Sequence, residues 1–303
     1  MLIITTIFAI IDTMKKETIE KHKKIANDIM YYIYRYIDTD INLDELSNDL
    51  NVSRFHMQRL FKEEFRQNIY ETIKSIRLQK ASTLLLTNKN TTITDIARMC
   101  GYSSQGSFNR VFKEKFNITP KQWRIGGYKE FTNEILTASP TALSTTVDFT
   151  NLTPKIVQMP TMRAYYIRHK GYNISIKETW QKLKTWLLCN NITESKQLGL
   201  HHDNPTITPL SQCQYIACII VNKEIPNATI PTLIIPSGVY ARFNFEGQYG
   251  DILKFMNWVY FSWLINSGYE TTTNPPYAIY EKNHFLEDDE RFKVSYYIPI
   301  SYS

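Results

Sequence analysis

Ser53-Arg54-Phe55-His56-Met57-Gln58-Arg59-Leu60-Phe61-Lys62-Glu63-Glu64-Phe65 returns, 51 residues on, as Ser104-Gln105-Gly106-Ser107-Phe108-Asn109-Arg110-Val111-Phe112-Lys113-Glu114-Lys115-Phe116. Ser53, Arg59, Phe61, Lys62, Glu63 and Phe65 fall on identical residues in the second copy, which marks a repeat. Upstream, Leu43-Asp44-Glu45-Leu46-Ser47 corresponds to Ile93-Thr94-Asp95-Ile96-Ala97 at an offset of 50. Each copy therefore reads as a short helix, a tight turn and a longer helix, the order of a helix-turn-helix.

Ser53 and Ser104 stand where a hydroxyl accepts from the first free backbone N–H groups of the second helix, so they are the expected N-caps. Phe55, Leu60 and Phe61, and in the second copy Phe108, Val111 and Phe112, follow helical spacing closely enough to bury one face. The other faces present Arg54, Gln58 and Arg59, and Gln105, Ser107, Asn109 and Arg110, side chains that pair with base edges or hold phosphates. Between the copies, residues 70–86 read as one helix with apolar Ile73, Ile76, Ala81, Leu84 and Leu85 and no interior Gly or Pro. Such a spacer would hold two recognition helices at a separation suited to successive major-groove segments, about 34 Å apart. One chain would then read an asymmetric double-stranded DNA site as a monomer.

Charge supports that placement. Residues 15–125 carry 20 of the 35 Lys and Arg but 13 of the 29 Asp and Glu, a balance of +7 within a chain of net +6. Clustered cations confined to one third of the chain suit a polyanion partner for that part. The whole chain, at 303 residues, is long enough for two domains. Its 43% apolar and 21% charged residues, with 10 Gly and 12 Pro, exclude a disordered, collagen-like or coiled-coil protein. Cys100, Cys189, Cys213 and Cys218 form no CxxC pair, so free thiols in a reducing cytoplasm are expected. Residues 2–11 are the sole membrane-like stretch and fall short of the about 20 apolar residues a spanning helix needs. They lack the basic start and small-residue cleavage site of a signal peptide, and Met14-Lys15-Lys16 offers an alternative start to a helix. Residues 1–19 are accordingly set apart as an N-terminal extension, and no membrane partner is expected.

From residue 125 to 153 the pattern turns irregular, with Gly126-Gly127, Ser139-Pro140 and a Ser/Thr-rich run over 141–146, and reads as a linker with short helical or strand pieces. Beyond it a second repeat begins. An offset of 76 brings Pro160 and Gly171 onto Pro236 and Gly247, and an offset of 77 brings Tyr172, Trp186 and Leu187 onto Tyr249, Trp263 and Leu264. Alternation over residues 162–168 and 242–246 predicts half-buried antiparallel strands, and residues 179–188 and 252–265 have helical length. The expected fold is an all-α N-terminal domain with two helix-turn-helix units joined by a linker helix, followed by an α+β domain built from a duplicated strand-helix-strand unit with antiparallel sheet.

The basic block resembles the DNA-binding domain of AraC/XylS-type bacterial transcription regulators. The resemblance rests on Ser53-x5-Arg59-x-Phe61-Lys62, Arg77-x3-Ala81-x2-Leu84-Leu85, Ile96-Ala97-x3-Gly101-Tyr102, Ser107-Phe108-x-Arg110-x-Phe112-Lys113 and Thr119-Pro120-x2-Trp123-Arg124. It implies a DNA-reading surface of Arg54, Phe55, Gln58 and Arg59 in the first copy and Gln105, Gly106, Ser107, Asn109 and Arg110 in the second. Gly106 stands where the family has larger side chains, so the first copy is expected to discriminate bases more strongly. Arg66 and Asn117 replace the family glycine after each recognition helix, and Arg tolerates a left-handed cap poorly.

The remaining half resembles the GyrI-like effector-binding domain, giving a Rob-like arrangement. It does so through Ile167-Arg168-His169-Lys170-Gly171-Tyr172, Leu198-Gly199-Leu200-His201-His202-Asp203-Asn204-Pro205, Ile235-Pro236-Ser237-Gly238-Val239-Tyr240 and Tyr296-Tyr297-Ile298-Pro299-Ile300. The resemblance implies a cleft between two half-sheets, lined by aromatics that attract cations and stack on planar ligands. Ser295 occupies the position of a family carboxylate, which turns the expectation from cationic drugs towards a small apolar or aromatic effector. By register, Tyr166, Phe245, Tyr249, Ser295 and Tyr297 are expected in the cleft, with Trp180 and Trp258 nearby. His201-His202-Asp203 with Cys213 raises a metal site, but adjacent histidines in a strand face opposite ways and no second ligand pair follows. No metal or cofactor is expected, and without a nucleophile elbow, P-loop, Rossmann fingerprint or HExxH motif no enzymatic activity is either. The chain is expected to be a cytoplasmic regulator with residues 20–125 binding promoter DNA, 126–153 linking and 154–303 binding the effector. RNA polymerase is a candidate further partner. A hydrolytic cleft and a gyrase-inhibitor-like protein-binding module are the alternatives.

Overall fold

The computed structural model describes residues 2–137, 147–226 and 228–302. It falls into two compact units: Met1–Arg77 with Pro226–Pro231, and Leu78–Ile225 with Thr232–Ser303. The Ser/Thr-rich run and Ser139-Pro140 lie outside the described residues.

The first unit is helical. Helix α1 spans Leu2–Arg35, α2 Leu43–Asp49 and α3 Arg54–Phe65, and α4, Ile69–Thr87, begins here and continues into the second unit. Ile29, Ile33 and Ile37 of α1 and its exit pack with Leu46 of α2, Met57 and Phe61 of α3, and Ile73 and Ile76 of α4 in one buried cluster. Asn42 caps α2 by accepting from Asp44 and Glu45 N–H, and Ser53 caps α3 by accepting from His56 N–H at 3.2 Å. Phe55 differs from expectation: it is 81% exposed. Counterparts across the repeat lie 51 apart, so Phe108 answers to Met57, which takes the core place, whereas Phe55 answers to Gly106 on the outer face.

In the second unit, α5 is Ile93–Met99, α6 Gln105–Phe116 and α7 Pro120–Gln122. Thr92, Ser104 and Thr119 cap them in turn, Thr119 in a reciprocal pairing with Gln122. Phe108, Phe112 and Phe116 of α6 pack with Leu84, Leu85 and Ile96 around Trp123, whose Nε1 donates to Ser82 O at 3.0 Å. In the stretch expected to link the two parts with short helical or strand pieces, a π-helical turn at Trp123–Gly127 leads into α8 over Tyr128–Thr137. Gly126 permits the break at φ 124°.

The rest of this unit is an antiparallel sheet with helices. Its elements are β1 Lys155–Met159, β2 Met162–Lys170, α9 Ile176–Cys189, β3 Lys196–His201, β4 Gln214–Ile220, β5 Thr232–Ile235, β6 Gly238–Gln248, α10 Asp251–Trp258, α11 Leu264–Asn266, β7 Tyr269–Thr271, β8 Tyr277–Lys282 and β9 Arg291–Tyr302. The strands lie in the order β1-β6-β9-β8-β3-β4-β2-β5, with β7 on β9. Register fixes which side chains share a face, because the period of a strand is two. Phe243, Tyr296, Ala278, Gly199, Ala217 and Ile167 form one row across six strands. On their side of the sheet the helices pack, Phe255 of α10 on Phe243 and Trp180 of α9 on Tyr280. The opposite face carries the row Arg242, Tyr297, Tyr277, Leu200, Ile216 and Arg168, and beside it Asn244, Ser295, Ile279, Leu198, Cys218 and Tyr166.

Candidate nucleic-acid interface and small-molecule cleft

On α3, Arg54, Phe55, Arg59 and Lys62 are exposed and Gln58 half-buried, a stripe at spacings of one and four residues directed away from Met57, Leu60 and Phe61. The same positions of α6, Gln105, Gly106, Arg110 and Lys113, are exposed, with Asn109 and Ser107 half-buried. Arg54 is held at 3.0 Å from Asp44 Oδ1 and donates to the Tyr70 hydroxyl, which fixes its direction at the start of the helix. Arg59 reaches His56 Nδ1 at 3.1 Å and lies 3.7 Å from Glu63, contacts that an incoming phosphate or base can displace at little cost since all are solvent-exposed. On α6, Gln105 accepts from Thr94 Oγ at 2.6 Å, and Ser107 Oγ donates to Ser104 O at 2.9 Å, which binds it to the cap. Asn109 Oδ1 is buried with no hydrogen-bond partner among the described residues. A Cβ on Gly106 would meet nothing within 4 Å, so that face is bare backbone. Arg66 and Asn117 both take the left-handed conformation, at φ 60° and 61°, and each N–H closes its helix on Lys62 O or Lys113 O at 2.9 Å. The two helices end alike without the family glycine.

The turn between α4 and α5 is seated on β7, inside the second unit. Asn88, 1% exposed, donates to Thr271 O at 2.9 Å and accepts from Thr271 N at 3.0 Å, completing the strand's main chain as a further strand would. Thr87 Oγ meets Thr271 Oγ at 2.7 Å. The buried Glu270 accepts from Asn90 N at 2.9 Å, Thr91 N at 3.1 Å and Thr91 Oγ at 2.5 Å, while Arg124 donates to Thr91 O at 2.8 Å. Tyr128 stacks on Phe261 at 5.6 Å, and Ile207 joins the cluster around Trp123. These contacts fix the start of α5, and α6 packs on α5 through Phe108, Ile96 and Ala97.

On the helix side of the sheet, the small residues Ala278, Gly199 and Ala217 leave room above the middle strands. A Cβ on Gly199 would lie 2.5 Å from the Tyr215 hydroxyl, so glycine is needed there for Tyr215 to cross. Trp180 Nε1 donates to that hydroxyl at 3.1 Å, and Tyr280 Oη lies 3.4 Å from it. A cleft opens beside this group, bounded by Tyr172, Ile176 and His201 from one half of the sheet domain and by Tyr249, Leu253, His284 and Phe285 from the other. Burial pushes His201 down to about 3 and His284 down to about 4, so both are neutral at pH 7.

Of the residues expected in the effector cleft, Tyr249 lines this one and Trp180 backs it. Phe245 and Trp258 pack against Phe255 and Phe149. Tyr166, Ser295 and Tyr297 belong to the other face. Tyr166 lies beneath the Arg168 guanidinium, Ser295 Oγ donates to Asn244 Oδ1 at 2.9 Å, and Tyr297 stacks on Tyr277 at 4.7 Å. Tyr172 was missed although the repeat pairs it with Tyr249; Tyr215 and Tyr280 needed the strand register, and His284 lies in the turn after β8. His202, Asp203 and Cys213 have structural roles or surroundings: Asp203 Oδ2 accepts from Gln214 N at 2.5 Å, Cys213 Sγ donates to Thr208 O at 3.5 Å, and His202 is held well below its ordinary pKa by burial.

Comparison with known proteins agrees with this division of labour. Residues 46–125 match a helix-turn-helix domain model and residues 152–301 a GyrI-like small molecule binding domain model. The probable transcription factor PqrA of Proteus vulgaris is 35% identical over 107 residues, 35% of this chain and 87% of that protein. The regulatory protein SoxS of Escherichia coli K12 is 35% identical over 103 residues, 34% of this chain and 95% of that protein. Among solved structures, the EcmrR C-terminal domain is similar at 18% identity and a TM-score of 0.41, covering 51% of this chain and all of that one, at 100%. No helix among the described residues is long and apolar enough to cross a membrane.

Proposed function

The chain belongs to the AraC/XylS-type DNA-binding transcription regulators and carries a GyrI-like small-molecule-binding domain, and from that premise we propose how it reads DNA and how an effector acts on it. Residues 20–125 bind one asymmetric promoter site through two helix-turn-helix units, α2–α3 and α5–α6, with α4 as spacer. The observation that carries this is the matched stripe: Arg54, Phe55, Gln58 and Arg59 on α3 answer to Gln105, Gly106, Asn109 and Arg110 on α6. Arg59 and Arg110 suit guanine edges or phosphates, Gln58 and Asn109 adenine, and the exposed Phe55 a thymine methyl. With Gly106 opposite Phe55, the first helix supplies most of the discrimination.

Residues 154–303 bind a small apolar or aromatic effector, the contacts expected by register being Tyr166, Phe245, Tyr249, Ser295 and Tyr297, with Trp180 and Trp258 nearby. The sheet order supports a duplicated unit, because it reads alike from either end once β1 is exchanged for β5, β6 for β2, β9 for β4 and β8 for β3. Effector binding acts on DNA through the seat of the α4–α5 turn on β7, provided the ligand binds the two states unequally. Residues 126–153 connect the two parts, RNA polymerase is a further contact, and the chain works in the cytoplasm without catalysis. Kinship with transcription regulators supports that reading over a hydrolase or a gyrase-inhibitor-like module.

The test is selection of bound fragments from the source genome with the purified full chain, followed by affinities at several salt concentrations. One enriched asymmetric site with a steep salt slope is expected, with a loss of about tenfold or more for Arg59→Ala. Unselective binding that Arg59→Ala leaves unchanged contradicts the proposal.

A further inference from the structure

A second recess lies at the end of the sheet, where the part of α4 within the second unit meets the turn after β3 and the loop between β7 and β8. Lys80 and Thr83 of α4, Asp203, Asn204 and Thr272 are among its walls, and it shares only His201 with the aromatic cleft. Its cavity is about 40 Å³, against about 10–15 Å³ for one water, so a ligand of about four non-hydrogen atoms fits. Asn204 is 6% exposed, and its Oδ1 accepts from Thr206 N at 3.0 Å and from Thr206 Oγ at 2.7 Å. Because a backbone N–H can only donate, the other end of that amide is the donor, Nδ2. This Nδ2 is buried with no hydrogen-bond partner among the described residues, a costly state that an acceptor in the recess relieves. Lys80 Nζ, which donates to Thr273 O, brings a cation to the same recess.

Charge decides which acceptor suits it. Burial holds His201 and His202 neutral, His201 at about 3. Burial also lifts the Asp203 carboxyl to about 6, while the Gln214 N–H, Lys80 and Arg168 pull it the other way, so it is ionised at pH 7. Two cations therefore act on this corner against one carboxylate, whose Oδ2 is turned to Gln214 N at 2.5 Å. One further negative charge balances them, and a neutral or cationic ligand does not. We propose that this recess binds a short-chain monocarboxylate, its oxygens accepting from Asn204 Nδ2 and from Lys80 Nζ, so that the ligand bridges the spacer helix α4 and the end of β3. The ammonium has three donors, which leaves it able to serve Thr273 O and a ligand together. The inference stands on the recess alone and does not depend on what fills the aromatic cleft or on how the chain reads DNA.

Titration of the full chain with acetate, acetamide and ethylammonium at pH 7 and constant ionic strength, followed by NMR of the ligand methyl signals, tests it. Saturable binding of acetate is expected, about tenfold or more tighter than that of either other compound. Asn204→Asp keeps the acceptor for Thr206 N but puts a carboxylate oxygen in place of the donor, and Lys80→Gln keeps a donor for Thr273 O but removes the cation. Each should weaken acetate about tenfold or more, whereas His284→Phe, in the aromatic cleft, should leave it unchanged. Melting curves confirm that each variant is folded, and Lys80→Gln alone carries the test if Asn204→Asp is not. No saturable binding of acetate, acetamide bound as tightly as acetate, undiminished binding in a folded Asn204→Asp or Lys80→Gln, or a loss in His284→Phe overturns the proposal.

Discussion

Arg66 holds a left-handed backbone conformation that glycine adopts freely and a Cβ-bearing residue adopts at a cost of about 1–2 kcal/mol. Arg66→Gly should therefore stabilise the chain by about 1 kcal/mol, read as a higher denaturant midpoint at unchanged m-value, and an unmoved midpoint would refute the account of that cap. Gly199 presents the opposite case. Alanine there would drive its Cβ into the Tyr215 hydroxyl, so Gly199→Ala should cost about 1–3 kcal/mol. Because the Trp180–Tyr215–Tyr280 group then shifts, altered tryptophan fluorescence should accompany the loss. The caps Ser53 and Ser104 were legible from residue type, since a short side chain with an acceptor oxygen suits that place, as Asn42 does for α2. Phe55 was not, because an apolar residue on a helix carries no label for the face it occupies; the repeat itself, pairing Met57 with Phe108, held the answer.

At the level of elements, the helices were readable because capping and period are local, and residues 70–86 fall within α4 as found, Ile69–Thr87. The effector residues were less so. One residue of register moves a side chain to the other face, and Tyr166, Ser295 and Tyr297 lie on the face away from Tyr280 and Tyr296. The end of β3 and the loop after β8 also set a pH response. His201, His202 and His284 are buried neutral with pKa values pushed below 6.5, so the unfolded chain binds more protons than the folded one, and stability falls as pH drops from about 6.5 towards 4. Asp28 and Asp203, both pushed up to about 6 by burial, act in the reverse sense over the lower part of that window and blunt the loss. His284→Phe should flatten the profile of unfolding free energy against pH by about one proton's worth of slope between pH 4.5 and 6.5. An identical slope would mean that His284 is not buried neutral.

The whole molecule divides inside α4, at Arg77 and Leu78, and the second helix-turn-helix shares its compact unit with the sheet domain. Sequence repeats suggested the opposite grouping, since they show ancestry and leave packing unstated. Glu270 and Asn88, unremarkable in the sequence, are the residues that hold the α4–α5 turn on β7. Glu270→Ala should weaken binding of the full site about tenfold and abolish sensitivity to base changes in the half-site read by α6, while sensitivity in the α3 half-site persists. Glu270→Gln, which keeps one acceptor for Asn90 and Thr91 N–H, should restore most of it. A folded Glu270→Ala protein that still discriminates in both half-sites would show that the seat does not position α6.

The most direct measurement is a hydroxyl-radical footprint of the full chain on its selected DNA site. Two protected patches on one face of the duplex, about one helical turn apart, are predicted, with the patch assigned to α3 lost in Arg59→Ala and the other lost in Arg110→Ala. A single patch that both variants erase together would contradict two reading helices acting from one chain.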